Sequence, residues 1–135
     1  MNTVDSPEKQ TILVIDDEPI NLKVLTLLLS DQYRVRACKS GLEALEILAK
    51  FEPPDLVLLD IILPDMDGYA VLAEIRADYS LKRIPVILIS AMDSPSDEKN
   101  GRSLGADDYI PKPFAGEMVL EKVREQLIKS GKGVL

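Results

Sequence analysis

Five short apolar runs punctuate the sequence, at Thr11–Ile15, Arg34–Ala37, Leu56–Leu59, Pro85–Ile89 and a briefer one ending at Tyr109–Ile110. The first, third and fourth are nearly continuous in Val, Ile and Leu, as strands of a parallel sheet are when helices cover both faces. Tyr33–Ala37 and Asp107–Ile110 are more mixed and suit sheet edges. Between the runs lie segments with helix start and stop signals. Pro19 stands in a first helical turn ahead of the apolar stretch Ile20–Leu29. Ser40 with Glu43 forms a capping box before Leu45 and Leu48. Gly68 precedes a helix carrying Val71, Leu72 and Ile75. Ser94-Pro95-Ser96-Asp97 is a second box, and Gly105 suits the end of that helix. Val119, Leu120, Val123 and Leu127 mark one face of a closing amphipathic helix. Strand and helix thus alternate five times with short connections, which predicts right-handed crossovers and an open, doubly wound parallel sheet with five helices.

The chain has 135 residues, enough for one domain with a proper core. Sixteen Lys+Arg against 23 Asp+Glu give a net charge of −7. That balance argues against direct nucleic-acid binding, which needs clustered Lys and Arg, and against anionic membrane surfaces. The single cysteine, Cys38, allows no internal disulfide, and there is no His to join it in a metal or nucleophile role. It reads as a small buried strand residue in a protein of a reducing, cytoplasmic compartment. No apolar run approaches the ~18–20 residues of a membrane helix, and Met1–Gln10 is polar.

In an open α/β sheet, ligands bind beyond the carboxyl ends of the strands, where the strand order switches. Asp16, Asp17 and Glu18 follow the first run, Asp60 the third, Ser90 the fourth and Lys112 the fifth. The order 2-1-3-4-5 makes strands 1 and 3 neighbours and brings Asp16, Asp17 and Asp60 together. Three carboxylates in one mouth repel unless a cation sits among them, and magnesium suits a shallow site of this kind. Lys112 adds a second positive charge, and the Ser90 hydroxyl completes a pocket for a tetrahedral oxyanion. Metal, lysine and hydroxyl around a carboxylate are the recurrent apparatus of phosphoryl transfer, with Asp60 as the nucleophile. Singly, the acids could cap a helix, Ser90 could be a turn residue and Lys112 a solvated charge. Jointly, at four strand ends of one sheet edge, they specify chemistry.

The segments Ile15-Asp16-Asp17-Glu18, Leu58-Leu59-Asp60, Pro64-Asp65-Met66-Asp67-Gly68, Ser90-Ala91, Gly105-Ala106-Asp107-Asp108-Tyr109 and Lys112-Pro113-Phe114 resemble the receiver domains of two-component response regulators. The likeness covers roughly Thr11 to Ile128 and implies a flavodoxin-like (CheY-like) fold. It sets residues 11–129 as the receiver domain, 1–10 as a disordered tail and 130–135 as a tail or linker start. It further implies that Asp60 takes phosphate from a phosphohistidine on a sensor histidine kinase or a histidine phosphotransfer protein. By the same resemblance, Asp17, Asp60 and the Ile62 carbonyl ligate Mg2+, with Asp16 acting through water. Lys112 pairs with the phosphate, Ser90 Oγ and the Ala91 amide grip its oxygens, and Tyr109 is the switch aromatic that turns inward. Lys112-Pro113 matches a cis-peptide position. The face of helix 4, strand 5 and helix 5 then controls a partner or output domain, or a homodimer.

Three further expectations come from the residues themselves. Ile62 and Met92 are apolar where polar side chains could assist hydrolytic water, so the acyl phosphate should be shed slowly. The fourth helix has no large apolar residue from Asp97 to Ser103 and contains Gly101, which costs ~1 kcal/mol relative to Ala. Its packing should be weak unless Leu104 and neighbouring loops anchor it. The first helix is apolar nearly all round; burial against the sheet and last helix is the expected use of that surface, with a partner contact for some of it as the alternative. A haloacid-dehalogenase-type phosphatase would need a second Asp where Ile62 stands, and a flavin carrier would be repelled by Asp16-Asp17-Glu18. A receiver that only binds partners would not need the full set of site residues.

Overall fold

The computed structural model describes residues 9–91 and 95–131, with the backbone alone at 95 and 96. The tails expected at the two ends therefore fall largely outside the described residues, as do Met92 and the Ser94 of the second capping box. The elements alternate as β1 (Thr11–Ile15), α1 (Pro19–Leu29), β2 (Arg34–Cys38), α2 (Gly41–Lys50), β3 (Leu56–Asp60), α3 (Gly68–Ala77), β4 (Val86–Ser90), α4 (Pro95–Ser103), β5 (Asp108–Pro111) and α5 (Gly116–Lys129). The five strands form one sheet in the order β2-β1-β3-β4-β5, and every neighbouring pair is parallel. This is the flavodoxin-like order anticipated from the runs.

Successive strand residues point to opposite faces, and two cores follow from that period. Leu13, Ile15, Val57, Leu59, Val86 and Leu88 share one cluster with Ala44, Leu48, Val71, Leu72 and Ile75 of α2 and α3. Ile12, Val14, Leu56, Leu58, Ile87 and Ile89 face Leu22, Leu25, Val119, Val123 and Leu127 of α1 and α5. Each of these Val, Leu and Ile side chains contributes about 1.5–3 kcal/mol through burial, so the sheet is fixed from both sides.

The helices form largely as their signals predict. Ser40 Oγ accepts the Glu43 N–H at 3.1 Å, while Glu43 Oε1 reaches back to the Lys39 N–H at 2.9 Å, one residue ahead of the cap. Helix α1 departs from expectation. It buries only Leu22, Leu25 and Leu29, and Ile20 and Leu27 stand 76% and 68% exposed. A helix lying on a sheet has one inward face, so Leu28 is covered only in part and Ile20, Val24 and Leu27 face outward.

Helix α4 also behaves differently from a merely loose element. Leu104 is 45% exposed, whereas Gly101 is buried. A Cβ built on Gly101 would lie 2.5 Å from Leu88 Cδ1. The glycine lets the helix settle onto β4, so its propensity cost is exchanged for close approach. Gly105, at φ 110°, ends this segment.

Candidate functional site

Parallel register places the reactive groups at one rim. Ile15 pairs with Leu59, so Asp16 and Asp60 emerge side by side beyond the strands. Asp60 pairs with Ile89 and Ser90 with Pro111, which brings Ser90 and Lys112 to the same level. Asp16, Asp60 and Ser90 are buried at 0%, 3% and 0% exposure, while Asp17 is exposed. Asp17, Glu18, Asp60, Ile62, Ser90 and Lys112 line a cavity of about 260 Å³, with Ala91 at its edge.

The backbone around Asp60 is held as firmly as its side chain. The Gly68 N–H donates to the Ile61 carbonyl at 2.7 Å. A Cβ at Gly68 would collide with the Asp60 carbonyl oxygen and Ile61 Cα, so only glycine permits this close fold of the β3–α3 loop. Asp65 in the same loop accepts the Gly41 and Leu42 N–H groups at 2.9 and 2.8 Å. Those bonds tie the loop to the start of α2 and hold the Asp65 carboxyl below its ordinary pKa.

Lys112 Nζ organises the carboxylates. It donates to Asp60 Oδ2 at 2.8 Å and to Glu18 Oε1 at 2.9 Å. Asp16 Oδ2 lies 2.9 Å from the same ammonium, in an ionic contact without the alignment of a hydrogen bond. Burial disfavours the charged lysine, but the Asp60, Asp16 and Glu18 carboxylates outweigh it and hold its pKa above the ordinary value. Burial raises the Asp16 pKa, against the Glu18 N–H and Lys112, which lower it. Asp60 Oδ1 accepts the Ile62 N–H at 3.1 Å.

Asp16, Asp17 and Asp60 each present an oxygen within 4.8 Å of the others. Four carboxylates share this rim with one ammonium, which contacts three of them, and a buried Asp16 oxygen lacks an aligned donor. An all-oxygen set short of positive charge is what a hard divalent cation requires, so these residues fit magnesium.

Of the site residues read from the sequence, Asp16, Asp17, Asp60, Ile62, Ser90, Ala91 and Lys112 reach this rim. Met92 lies outside the described residues. Tyr109 is set back in the core cluster with Leu88 and Ala106, 5% exposed and already inward. Glu18, noted in the sequence only as the third acid after the first strand, belongs to the site through its contact with Lys112. Its signal was its place in the Asp16-Asp17-Glu18 triplet. The Lys112–Pro113 peptide is cis. No helix among the described residues is long and apolar enough to cross a membrane.

A sheet of this order with acids, a hydroxyl and a lysine at its carboxyl rim defines a class of phospho-accepting signalling domains, and the family comparison agrees. The model of the response regulator receiver domain matches residues 12–124, and the chain belongs to that family. A protein of Vibrio cholerae named "Probable cyclic di-GMP phosphodiesterase" is 43% identical over 117 residues, covering 87% of this chain and 26% of its own length. The chain spans a quarter to a half of the curated relatives it matches. A receiver domain protein from Methanospirillum hungatei superposes with a TM-score of 0.84 at 29% identity, over 92% of this chain and 98% of its own. The receiver domain of a Pseudomonas aeruginosa sensor histidine kinase, with magnesium coordinated in its active-site cleft, gives 0.80 at 31% identity, over 88% and 98%.

Proposed function

We propose that Asp60 accepts a phosphoryl group from a phosphohistidine of a sensor histidine kinase or histidine phosphotransfer protein. The observation that carries this reading is the convergence on one buried carboxylate of Lys112 at 2.8 Å and of Asp16 and Asp17 from the adjacent strand end. An Asp60 oxygen attacks phosphorus, the P–N bond to the donor imidazole breaks, and its electron pair stays on that ring nitrogen. Lys112 neutralises charge on the incoming oxygens, and the Ile62 N–H orients the carboxylate. Ser90 Oγ and the Ala91 N–H would hold a phosphoryl oxygen from the β4 end, a role their place in the cavity lining supports.

Asp17, Asp60 and the Ile62 carbonyl would hold magnesium directly, with Asp16 acting through water. When bound, the ion supplies positive charge to the transferring phosphoryl oxygens. Movement of Ser90 toward the phosphoryl group alters the packing of Tyr109 and so the surface of α4, β5 and α5. That face then contacts an output domain, a partner or a second copy.

Incubation with magnesium and acetyl phosphate or phosphoramidate, followed by intact mass, tests the reading. One phosphoryl adduct is expected, abolished by Asp60→Asn and by chelation. An adduct that survives Asp60→Asn overturns the assignment.

A further inference from the structure

Lys112 has three ammonium protons and faces three carboxylates: Asp60 at 2.8 Å, and Glu18 and Asp16 each at 2.9 Å. The ammonium donates to Asp60 and Glu18 and is in ionic contact with Asp16, so three carboxylates already crowd it before any phosphoryl group arrives. A phosphoryl group on Asp60 brings new anionic oxygens to the same nitrogen, and one carboxylate has to give way.

The three differ sharply in what release costs. The Asp16 side chain is wholly buried, and leaving it unpaired would strand a charge in a low-dielectric pocket. Asp60 is the reacting group itself. The Glu18 side chain is 60% exposed, and an exposed ion pair holds weakly because water replaces the partner. Glu18 is the one that yields.

Release of Glu18 does not stay local. Its Oε1 also accepts Asn21 Nδ2 at 2.7 Å, so one oxygen bridges the β5 end to the first turn of α1. Glu18 and Asn21, with Val24, Lys112, Pro113 and Phe114, border a groove of about 470 Å³ between α1 and the segment after β5.

We propose that Glu18 is a positioning residue that latches Lys112 to the start of α1 and surrenders Lys112 to the phosphoryl group, freeing Asn21 and loosening the groove. This rests on the phosphoacceptor reading of Asp60. The latch makes the α1 side of the molecule report the state of Asp60 independently of Ser90 and Tyr109.

The test uses beryllium trifluoride, a tetrahedral phosphoryl mimic, in magnesium buffer. Fluorine NMR reads loading, and nitrogen–proton spectra read the Asn21 side-chain amide. In the wild type the Asn21 resonance is expected to shift on loading. In Glu18→Ala it should start near the released position and stay there. Glu18→Gln and Glu18→Ala should bind the mimic about two- to five-fold more tightly, as removal of an exposed competing pair implies. Loading that leaves Asn21 unmoved overturns the latch while the phosphoacceptor reading stands, even if the variants bind more tightly through charge alone. Unchanged or weaker binding by both variants overturns it too. Failure of the wild type to load overturns both.

Discussion

Asp108 Oδ1 lies 3.1 Å from Lys122 Nζ of α5, and the same oxygen is 3.0 Å from Arg102 Nη2 of α4. One buried carboxylate at the start of β5 thus pins both flanking helices. Burial disfavours its charged form, but the Tyr109 N–H and the two cations prevail and hold its pKa below the ordinary carboxylate value. A lowered folded pKa adds stability above the unfolded value near pH 4, lost as pH falls through the folded value. Asp108→Asn is expected to destabilise by about 1–3 kcal/mol at pH 7. Urea titrations should show the gap to the wild type narrowing as pH drops below about 4. A gap that is constant with pH would contradict the paired-carboxylate account.

Gly101→Ala sets two effects against each other. Helix propensity favours alanine by about 1 kcal/mol, but the added methyl meets Leu88 Cδ1. Overpacking of this kind costs about 1–3 kcal/mol, so the variant should be less stable than the wild type. Pairing it with Leu88→Ala should recover part of the loss, a coupling that denaturation of the four proteins would measure.

Amide exchange in α4 should be faster than in α1. Beyond Gly101, no described residue of α4 is buried, whereas α1 buries three leucines. Equal protection in the two helices would contradict this.

Ile62 lines the cavity beside Asp60 while standing 56% exposed. On the proposed reading its bulk would screen one approach of water to an acyl phosphate on Asp60, so Ile62→Asn is expected to shed phosphate several-fold faster. Loss of the mass adduct with time gives the rate, and an unchanged rate removes Ile62 as the shield.

Cys38 is buried at the end of β2, and burial is the main reason its thiol is pushed up to about 12. Iodoacetamide at pH 8 should leave the folded protein unmodified and add one group in urea. Ready modification of the folded chain would show that β2 opens.

The sheet order and the site were legible because both depend on strand ends, and apolar runs mark strand ends directly. Asp16, Asp60, Ser90 and Lys112 could be placed at one rim from that alone. Residues that act across elements were not legible. Arg76 looks like an ordinary helix charge, yet it donates to the Gly105 and Ile84 carbonyls and to Asp107 at 2.9, 2.7 and 2.9 Å. Gln126 sits buried against the Asp107 carbonyl, and no periodicity distinguishes it from a solvated glutamine. The depth of Gly101 against Leu88 depends on crossing geometry that sequence does not encode locally. The apolar surplus of α1 was read as buried because composition cannot say which side of a helix meets the sheet.

Helix α5 starts at the reactive rim and runs back along the sheet, where Gln126 reaches the Asp107 carbonyl just ahead of β5. Its 14 residues span about 21 Å at 1.5 Å per residue. A segment attached beyond Lys129 would therefore leave the molecule at the pole remote from Asp60. Such an attachment starts one α5 length, roughly 21 Å, from the reactive rim. A change at that rim can reach its start as leverage, a small tilt at the near end of a stiff rod read out at the far one.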